Sequence, residues 1–193
     1  MIVVDQKLAL EKLNSRFPIV FQTDTLPAIG CLPEFSKMIY KIKKRDINKP
    51  LILMGAENFK FDDFVHESAL DDFKYMASCY WPGPLTIIIP SSEKKRLFTS
   101  SSDFTLGLRK PNSQMADLLL KESGPLLTSS ANRSGLPNAT SVKEISINLP
   151  NVNILGPIPW KKCSGKASTI ISWVNSGKWK IIREGEVSIP SIM

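Results

Sequence analysis

The chain contains few of the side chains on which hydrolytic and metal-dependent sites commonly depend. His66 is the single histidine, which removes most Ser-His-Asp, Cys-His and multi-histidine metal designs. The three cysteines, Cys31, Cys79 and Cys163, are widely spaced and form no C-x-x-C pair. Neither a disulfide framework nor a zinc knuckle is indicated, and a reducing cytoplasm is the expected location. Chemistry must therefore depend on Lys, Arg, hydroxyl groups and backbone amides, with any metal ion carried by the substrate.

Long apolar runs are also lacking. The longest aliphatic stretch, Leu85–Ile89, is too short to cross a bilayer, and Asp5 and Lys7 precede any apolar run. No signal peptide, membrane anchor or membrane partner is expected. No repeat, low-complexity tract or Pro/Ser linker interrupts the chain, so one domain over residues 1–193 is predicted.

The charge is positive and unevenly distributed. Lys and Arg number 25 against 18 Asp and Glu, a formal net charge of +7, which favours an anionic partner such as a nucleotide, pyrophosphate or RNA. Basic residues cluster in residues 37–49 and acidic residues in 57–72. These clusters also fit two solvated helix faces of opposite sign, so charge alone does not identify the partner.

Strand-like runs alternate with helical ones, which is typical of a layered α/β domain. Asp5 is placed to cap a first helix, Pro33 to open a second and Asn112 or Ser113 to cap a fourth. The predicted elements are a helix after Asp5, a strand at 19–23, a loop at 23–30, a helix from Pro33, a strand at 51–54, a helix at 68–80, strands at 85–89 and 105–109, a helix through Leu120 that ends before Gly124, a strand at 126–129, and a hairpin of 168–174 and 179–183. Hairpin geometry brings Ser168 close to Arg183–Gly185.

Three basic residues are predicted to lie beyond the end of the second helix. Lys43, Arg45 and Lys49 are followed by Pro50. A guanidinium offers two parallel donors to a phosphate and an ammonium acts as a point charge, so the three together suit a triphosphate. The alternative is that they complement the helix dipole.

Two further patterns suit anion binding. The loop Ser129–Gly135 is rich in hydroxyl groups and backbone N–H groups that can hold anionic oxygens. Arg109 ends a predicted strand, where it can pair with a carboxylate, and Arg183 ends the hairpin in the same way. Each pattern alone is also typical of an ordinary turn or surface ion pair.

The order of these patterns resembles the YrdC domain family of L-threonylcarbamoyladenylate synthases. The resemblance covers about residues 17–186 and is carried by seven ordered motifs. They are Thr23-Asp-Thr25 with Gly30, Lys43-x-Arg45-x-x-x-Lys49-Pro50, Pro82-Gly-Pro84-x-Thr86, Gly107-x-Arg109-x-Pro111, Ser130-Ala-Asn132-x-Ser-Gly135, Ser168-Thr-Ile170 and Arg183-x-Gly185.

The resemblance implies a twisted mixed sheet with flanking helices and a basic concave face. It implies that L-threonine, bicarbonate and ATP give threonylcarbamoyl-AMP and pyrophosphate, for the tRNA base threonylcarbamoyladenosine. ATP is the nucleotide substrate, Mg²⁺ travels with it, and no protein-bound metal is implied. The implied macromolecular partners are tRNA or double-stranded RNA and a downstream threonylcarbamoyl transferase.

The resemblance also assigns residues. It makes Lys43 and Arg45 catalytic. The implied ATP-binding residues are Arg45, Lys49, Thr105, Ser130, Asn132 and Arg183. The implied threonine-binding residues are Thr23, Arg109, Thr128 and Ser168.

Four positions depart from the family pattern. Pro27 and Ala28 replace a Tyr-Gly pair in the first loop, Met54 stands where some members have His, and Asn138 where some have Arg. A non-catalytic RNA-binding protein of the same fold explains the charge equally well and is the main alternative. Carbamoyl-adenylate chemistry of the hydrogenase-maturation type is a third, although those YrdC-like segments lie within much longer chains.

Overall fold

The computed structural model describes residues 2–92 and 104–190, and within them ten strands form one sheet. The strands are β1 (Ile2–Val4), β2 (Ile19–Phe21), β3 (Ala28–Cys31), β4 (Ile52–Met54), β5 (Leu85–Pro90), β6 (Thr105–Arg109), β7 (Leu126–Ser130), β8 (Asn153–Leu155), β9 (Thr169–Asn175) and β10 (Lys178–Arg183). The α-helices are α1 (Gln6–Asn14), α2 (Lys37–Lys43), α3 (Leu70–Tyr80), α4 (Gln114–Ser123) and α5 (Val142–Asn148). In this part of the chain, no helix is both long enough and apolar enough to span a membrane.

The sheet is mixed, as predicted. Its strand order is β1-β8-β2-β3-β7-β4-β6-β5-β9-β10. Strands β1 and β2 pair parallel to β8, β4 to β6 and β5 to β9, whereas the other neighbours are antiparallel. Strands distant in sequence are therefore adjacent in space, and residues from both ends of the chain can meet on one face.

One face of the central strands packs into the main apolar core. Leu53, Ile87 and Leu108 are completely buried there, together with Phe73 and Met76 of α3. Because successive side chains in a strand point to opposite faces, the residues between these positions lie on the other face. That second face builds the cavity described below.

Helices α1 and α4 cover another part of the sheet. Ala9 and Leu13 of α1 join Leu119 of α4 and Phe21 of β2 in a second apolar cluster. Both helices begin as predicted, because Asp5 accepts a hydrogen bond from the Leu8 amide at 2.8 Å and Ser113 accepts one from the Ala116 amide at 3.4 Å.

Several predicted boundaries were wrong. The segment after Pro33 begins as a 3₁₀ turn, Pro33–Phe35, before α2 starts at Lys37. The helix predicted at 68–80 is preceded by a 3₁₀ turn at Glu67–Ala69. The last three residues of the predicted loop at 23–30 belong to strand β3. Helix α4, by contrast, ends at Ser123, before Gly124, as predicted. Strands β1 and β8 and helix α5 had not been predicted, since each is short and lacks a clear apolar period.

Candidate active site

A cavity of about 520 Å³ lies on the face of the sheet opposite the main core. Alternate residues of neighbouring strands line it: Ile52 and Met54 of β4, Thr86 and Ile88 of β5, Thr105, Gly107 and Arg109 of β6, Thr128 and Ser130 of β7, and Ile170 of β9. The two-residue spacing follows from the alternation of side chains along a strand. We call this space the sheet cavity.

Four basic residues from three distant segments of the chain line the sheet cavity. Arg45 and Lys49 follow α2, Arg109 ends β6 and Arg183 ends β10. None of the described residues that line it is an Asp or a Glu. The cavity lining therefore combines positively charged side chains with hydroxyl groups, which is an environment that suits anionic ligands. Arg45, Arg109, Ser130 and Arg183, predicted to share one site, all line it.

Arg109 is buried in the floor of the sheet cavity, where its residue is only 3% exposed. Its Nη2 donates to Asp24 Oδ1 at 2.6 Å and its Nε donates to the Gly83 carbonyl at 3.2 Å. Burial lowers the pKa of the Arg109 guanidinium, the Asp24 carboxylate opposes that shift, and Arg183 adds to it. Arg109 thus already has one carboxylate partner inside the protein.

The end of the β9–β10 hairpin forms a second polar group. Arg183 donates from Nε and Nη2 to the Ser168 carbonyl, at 3.1 and 2.8 Å. The Ser168 hydroxyl shares a hydrogen bond of 2.9 Å with the Thr86 hydroxyl. The predicted return of Arg183 to Ser168 is therefore confirmed. These contacts join β5, β9 and β10 at one edge of the cavity.

Arg45 organises the loop that carries Lys49. Its Nε donates to the Lys49 carbonyl at 3.1 Å and its Nη2 donates to the Pro50 carbonyl at 3.0 Å. Burial lowers the pKa of Arg45. The loop therefore presents Arg45 and Lys49 to the cavity as one unit.

Lys43 does not lie beyond the helix end with the other two cations, as had been predicted. It is the last residue of α2, is 1% exposed, and donates from Nζ to the Ser130 carbonyl at the end of β7. Burial, and then the nearby charge of Arg45, lower the Lys43 pKa from 10.5 to about 7. Lys43 thus lies behind the cavity lining and connects α2 to the strand that carries Ser130.

The depressed pKa predicts a pH-dependent stability. Between about pH 7 and 10.5, unfolded Lys43 binds a proton that folded Lys43 does not, so its contribution to stability rises with pH in that window. Compared with Lys43→Met, the free energy of unfolding of the wild type should gain about 2 to 3 kcal/mol from pH 7.5 to 9.5. Urea unfolding at both pH values measures it.

Lys41→Met is the matched control, because Lys41 is exposed on the same helix. The variant measures the effect of removing one lysine from the surface of the helix. A Lys43→Met difference that changes with pH no more than the Lys41→Met difference would show that Lys43 stays charged in the folded protein.

The loop after β7 is held by its own side chains. The Ser130 hydroxyl donates to Asn132 Oδ1 at 2.6 Å, and Asn132 Nδ2 donates to the carbonyls of Arg133 and Leu136 at 3.1 and 2.8 Å. Asn132 is buried and is not part of the cavity lining. It shapes the loop that presents Ser130.

Thr23, predicted to bind threonine, is not among the residues that line the sheet cavity. It lines a second, wider cavity of about 1080 Å³, the loop cavity, with Asp24, Met115, Trp160 and Lys161. Its hydroxyl donates to the Leu26 carbonyl at 2.7 Å and lies 3.2 Å from the Thr25 hydroxyl. Thr25 is the hydroxyl of this loop that lines the sheet cavity.

Sequence reasoning assigned no specific ligand to several residues of the sheet cavity. Thr25 and Thr86 were named only as members of motifs and Ser129 only as part of the loop Ser129–Gly135, and all three line the cavity. A hydroxyl that alternates with aliphatic residues in a strand, as Thr86 does with Ile88, was an available signal. The departures Ala28, Met54 and Asn138 line it as well. Pro27 is buried and accepts a hydrogen bond from the Ala131 amide at 2.8 Å.

The described residues contain no group of three or more His, Cys, Asp or Glu side chains that could hold a metal ion. The lining of the sheet cavity itself supplies cations and hydroxyl groups, which can act on anionic groups.

Sequence comparison finds relatives along most of the chain. The family model Sua5_yciO_yrdC, described as telomere recombination, matches residues 11–185. The threonylcarbamoyl-AMP synthase of Shigella flexneri is 28% identical over 143 residues, which cover 71% of this chain and 75% of that protein. The enzyme of the same name from Yersinia enterocolitica is 31% identical over 144 residues, with 72% and 75% covered.

Comparison with solved structures finds proteins of the same family. P. abyssi Sua5 complexed with L-threonine is similar with a TM-score of 0.84 and 25% identity over 96% of this chain, although this chain spans only 58% of that one. E. coli YciO is similar in fold, with a TM-score of 0.77, 23% identity, and 95% and 94% of the two chains covered. From the family match over residues 11–185 and this likeness in fold, we conclude that the chain belongs to the Sua5/YciO/YrdC family.

Proposed function

We propose that this chain is a threonylcarbamoyl-AMP synthase, which makes threonylcarbamoyl-AMP and pyrophosphate from L-threonine, bicarbonate and ATP. The product supplies threonylcarbamoyladenosine modification of tRNA. The observation that carries the proposal is the convergence of Arg45, Lys49, Arg109 and Arg183 on one cavity whose described lining has no carboxylate. The names of the relatives support the same activity.

We assign the nucleotide to the side of the cavity formed by the α2–β4 loop and the ends of β7 and β10. Arg45, Lys49 and Arg183 supply positive charge to the phosphates, and the Ser130 and Thr105 side chains supply hydroxyl groups. Lys43 and Asn132 act indirectly in this assignment, because both hold Ser130 and its loop from behind the lining.

We assign threonine to the floor around Arg109. Two of its three guanidinium nitrogens have partners in the protein, and Nη1 has none among the described residues. A guanidinium with an edge open to the cavity suits the substrate carboxylate. Thr128 and Ser168 line the same cavity. Thr25 contributes the loop hydroxyl directly, and Thr23 supports it from behind.

The proposed reaction has two steps. The threonine amine attacks the carbon of bicarbonate, and loss of water leaves a carbamate. A carbamate oxygen then attacks the α-phosphorus of ATP, the bond to the bridging oxygen breaks, and pyrophosphate leaves with the electron pair. Several anions must be held close together, so fixed cations and donors supply most of the catalysis by positioning and charge stabilisation.

Mg²⁺ in this proposal is bound by the phosphates of ATP, since the described lining offers no carboxylate to hold it. The three cysteines are free, which fits the reducing cytoplasm where we place the reaction. A threonylcarbamoyl transferase then takes the mixed anhydride to tRNA.

The direct test is pyrophosphate release by the purified chain. Release that requires ATP, L-threonine and bicarbonate together supports the synthase. Retention of tRNA or double-stranded RNA without turnover supports the RNA-binding alternative instead. Pyrophosphate release that does not depend on threonine would exclude the proposed reaction.

Arg45→Ala should weaken ATP binding selectively. The variant removes a cation from the cavity and frees the Lys49 and Pro50 carbonyls that Arg45 holds. We expect the KM for ATP to rise at least about tenfold, or about 1.4 kcal/mol, and the KM for threonine to change less. Steady-state kinetics with each substrate varied measure this. Lys41→Ala removes the same charge from an exposed position and should behave as the wild type; equal effects of the two variants would contradict the assignment.

A further inference from the structure

We infer that Asp24 is a positioning residue for threonine binding, which acts through Arg109 without entering the sheet cavity. The inference deepens the proposed function and rests on it. Asp24 lies in the loop between β2 and β3, and its Oδ1 accepts the hydrogen bond from Arg109 Nη2 at 2.6 Å. The side chains of Arg109 and Asp24 are only 4% and 16% exposed.

Hydrogen bonds hold the backbone of the loop that carries Asp24. The Asp24 carbonyl accepts a hydrogen bond from the Ser164 amide at 3.1 Å, and the Thr25 carbonyl accepts one from the Gly165 amide at 3.1 Å. Within the loop, the Thr23 hydroxyl also accepts a hydrogen bond from the Thr25 amide at 3.2 Å. The loop therefore holds the carboxylate at a fixed place.

Two fixed acceptors determine the orientation of the Arg109 guanidinium. The Gly83 carbonyl holds Nε at 3.2 Å and Asp24 holds Nη2. Because the guanidinium is planar, two contacts on different nitrogens restrict its rotation. Its Nη1 is the one nitrogen without a partner among the described residues, and Arg109 lines the sheet cavity.

Asp24 itself lines the loop cavity, on the other side of the loop. It can therefore orient Arg109 and balance its charge without occupying the place of a substrate carboxylate. Balance is needed because Arg109 is buried and close enough to Arg183 for repulsion between them to lower the Arg109 pKa. A carboxylate behind the cavity stabilises the buried cation, whereas one inside it would repel threonine.

Two alternative roles of Asp24 predict different effects on threonine binding. If Asp24 occupied Arg109 in competition with the substrate carboxylate, removing its charge would strengthen threonine binding. If Asp24 served only to neutralise a buried cation, any carboxylate at this position would suffice.

Three variants separate these roles when the threonine Kd is measured by calorimetry and both KM values by pyrophosphate release. Asp24→Asn keeps the shape and loses the charge, and Asp24→Glu keeps the charge but displaces it by one methylene group. Glu122→Gln makes the same charge change at an exposed residue of the loop cavity. We expect both Asp24 variants to raise the threonine Kd and KM at least about tenfold and to leave the KM for ATP within about twofold of wild type. Glu122→Gln should match the wild type.

Each other outcome is decisive. Tighter threonine binding by Asp24→Asn, or wild-type binding by either Asp24 variant, overturns the inference. If Asp24→Asn does not fold, Asp24→Glu decides, because it retains the balancing charge. A wild type that binds threonine but releases no pyrophosphate refutes the proposed function while the Kd values still test Asp24; a wild type that binds no threonine refutes both.

Discussion

Replacing Arg109 with alanine should reduce kcat/KM for L-threonine at least about 100-fold, which corresponds to about 3 kcal/mol. Arg109 is the buried cation in the floor of the sheet cavity, and it is held in one orientation by Gly83 and Asp24. Its loss removes the carboxylate partner we assign to threonine. It also leaves the Asp24 carboxylate without its cation, so lower thermal stability is expected as well.

The measurement is pyrophosphate release at varied threonine concentration, below the Tm of the variant. Lys110→Ala is the matched control, because it removes a cation from the next residue in the chain. The Lys110 ammonium lies 3.9 Å from the Glu57 carboxylate. Lys110 does not line the sheet cavity. If Arg109→Ala retained wild-type kcat/KM for threonine, the carboxylate of threonine would have to bind elsewhere.

Gly185→Ala should cost about 3 kcal/mol or more of unfolding free energy and most of the activity. A Cβ at this position would lie 2.4 Å from the Ala167 carbonyl oxygen and 2.5 Å from both the Ser168 carbonyl carbon and the Thr169 nitrogen. All three are backbone atoms, so no change of side-chain rotamer relieves the contact. The start of β9 must move away, and Ser168 then loses its place beneath Arg183.

Urea unfolding and pyrophosphate release test this prediction together. Gly107→Ala is the control for stability, because a Cβ there meets nothing closer than 3.6 Å. It should unfold at nearly the same urea concentration as the wild type. Wild-type stability of Gly185→Ala would mean that the backbone at 167–169 can shift freely, and that Ser168 is not held by this contact.

The regular elements with strong local signals were predicted well. Asp5 and Ser113 cap helices α1 and α4 through short-range hydrogen bonds, which depend on residues three apart in sequence. Strand β6 was predicted with its observed bounds, Thr105–Arg109. By contrast, the short strands β1 and β8 pair with each other across most of the chain. Their formation depends on that pairing, which no local pattern reveals.

Most of the candidate site was also predicted, through motifs and not through geometry. Arg45, Arg109 and Arg183 were selected as loop or strand-end cations, and all three line one cavity. Lys43 and Thr23 came from the same motifs but do not line that cavity, and each contacts residues that do. Motif membership alone therefore did not separate residues that line the cavity from residues that support it.

The amino-acid sequence by itself determined the alternation of helices and strands, the excess of positive charge and the residue types available for chemistry. These properties depend on composition and on short-range periodicity, both of which follow directly from the amino-acid sequence. Only the tertiary structure decided that Asp24 pairs with Arg109, that Lys43 is buried against Ser130, and that four cations from three distant segments share one cavity. The reason is that strand order and side-chain direction arise from long-range pairing and packing, and neighbours in space are then far apart in the chain.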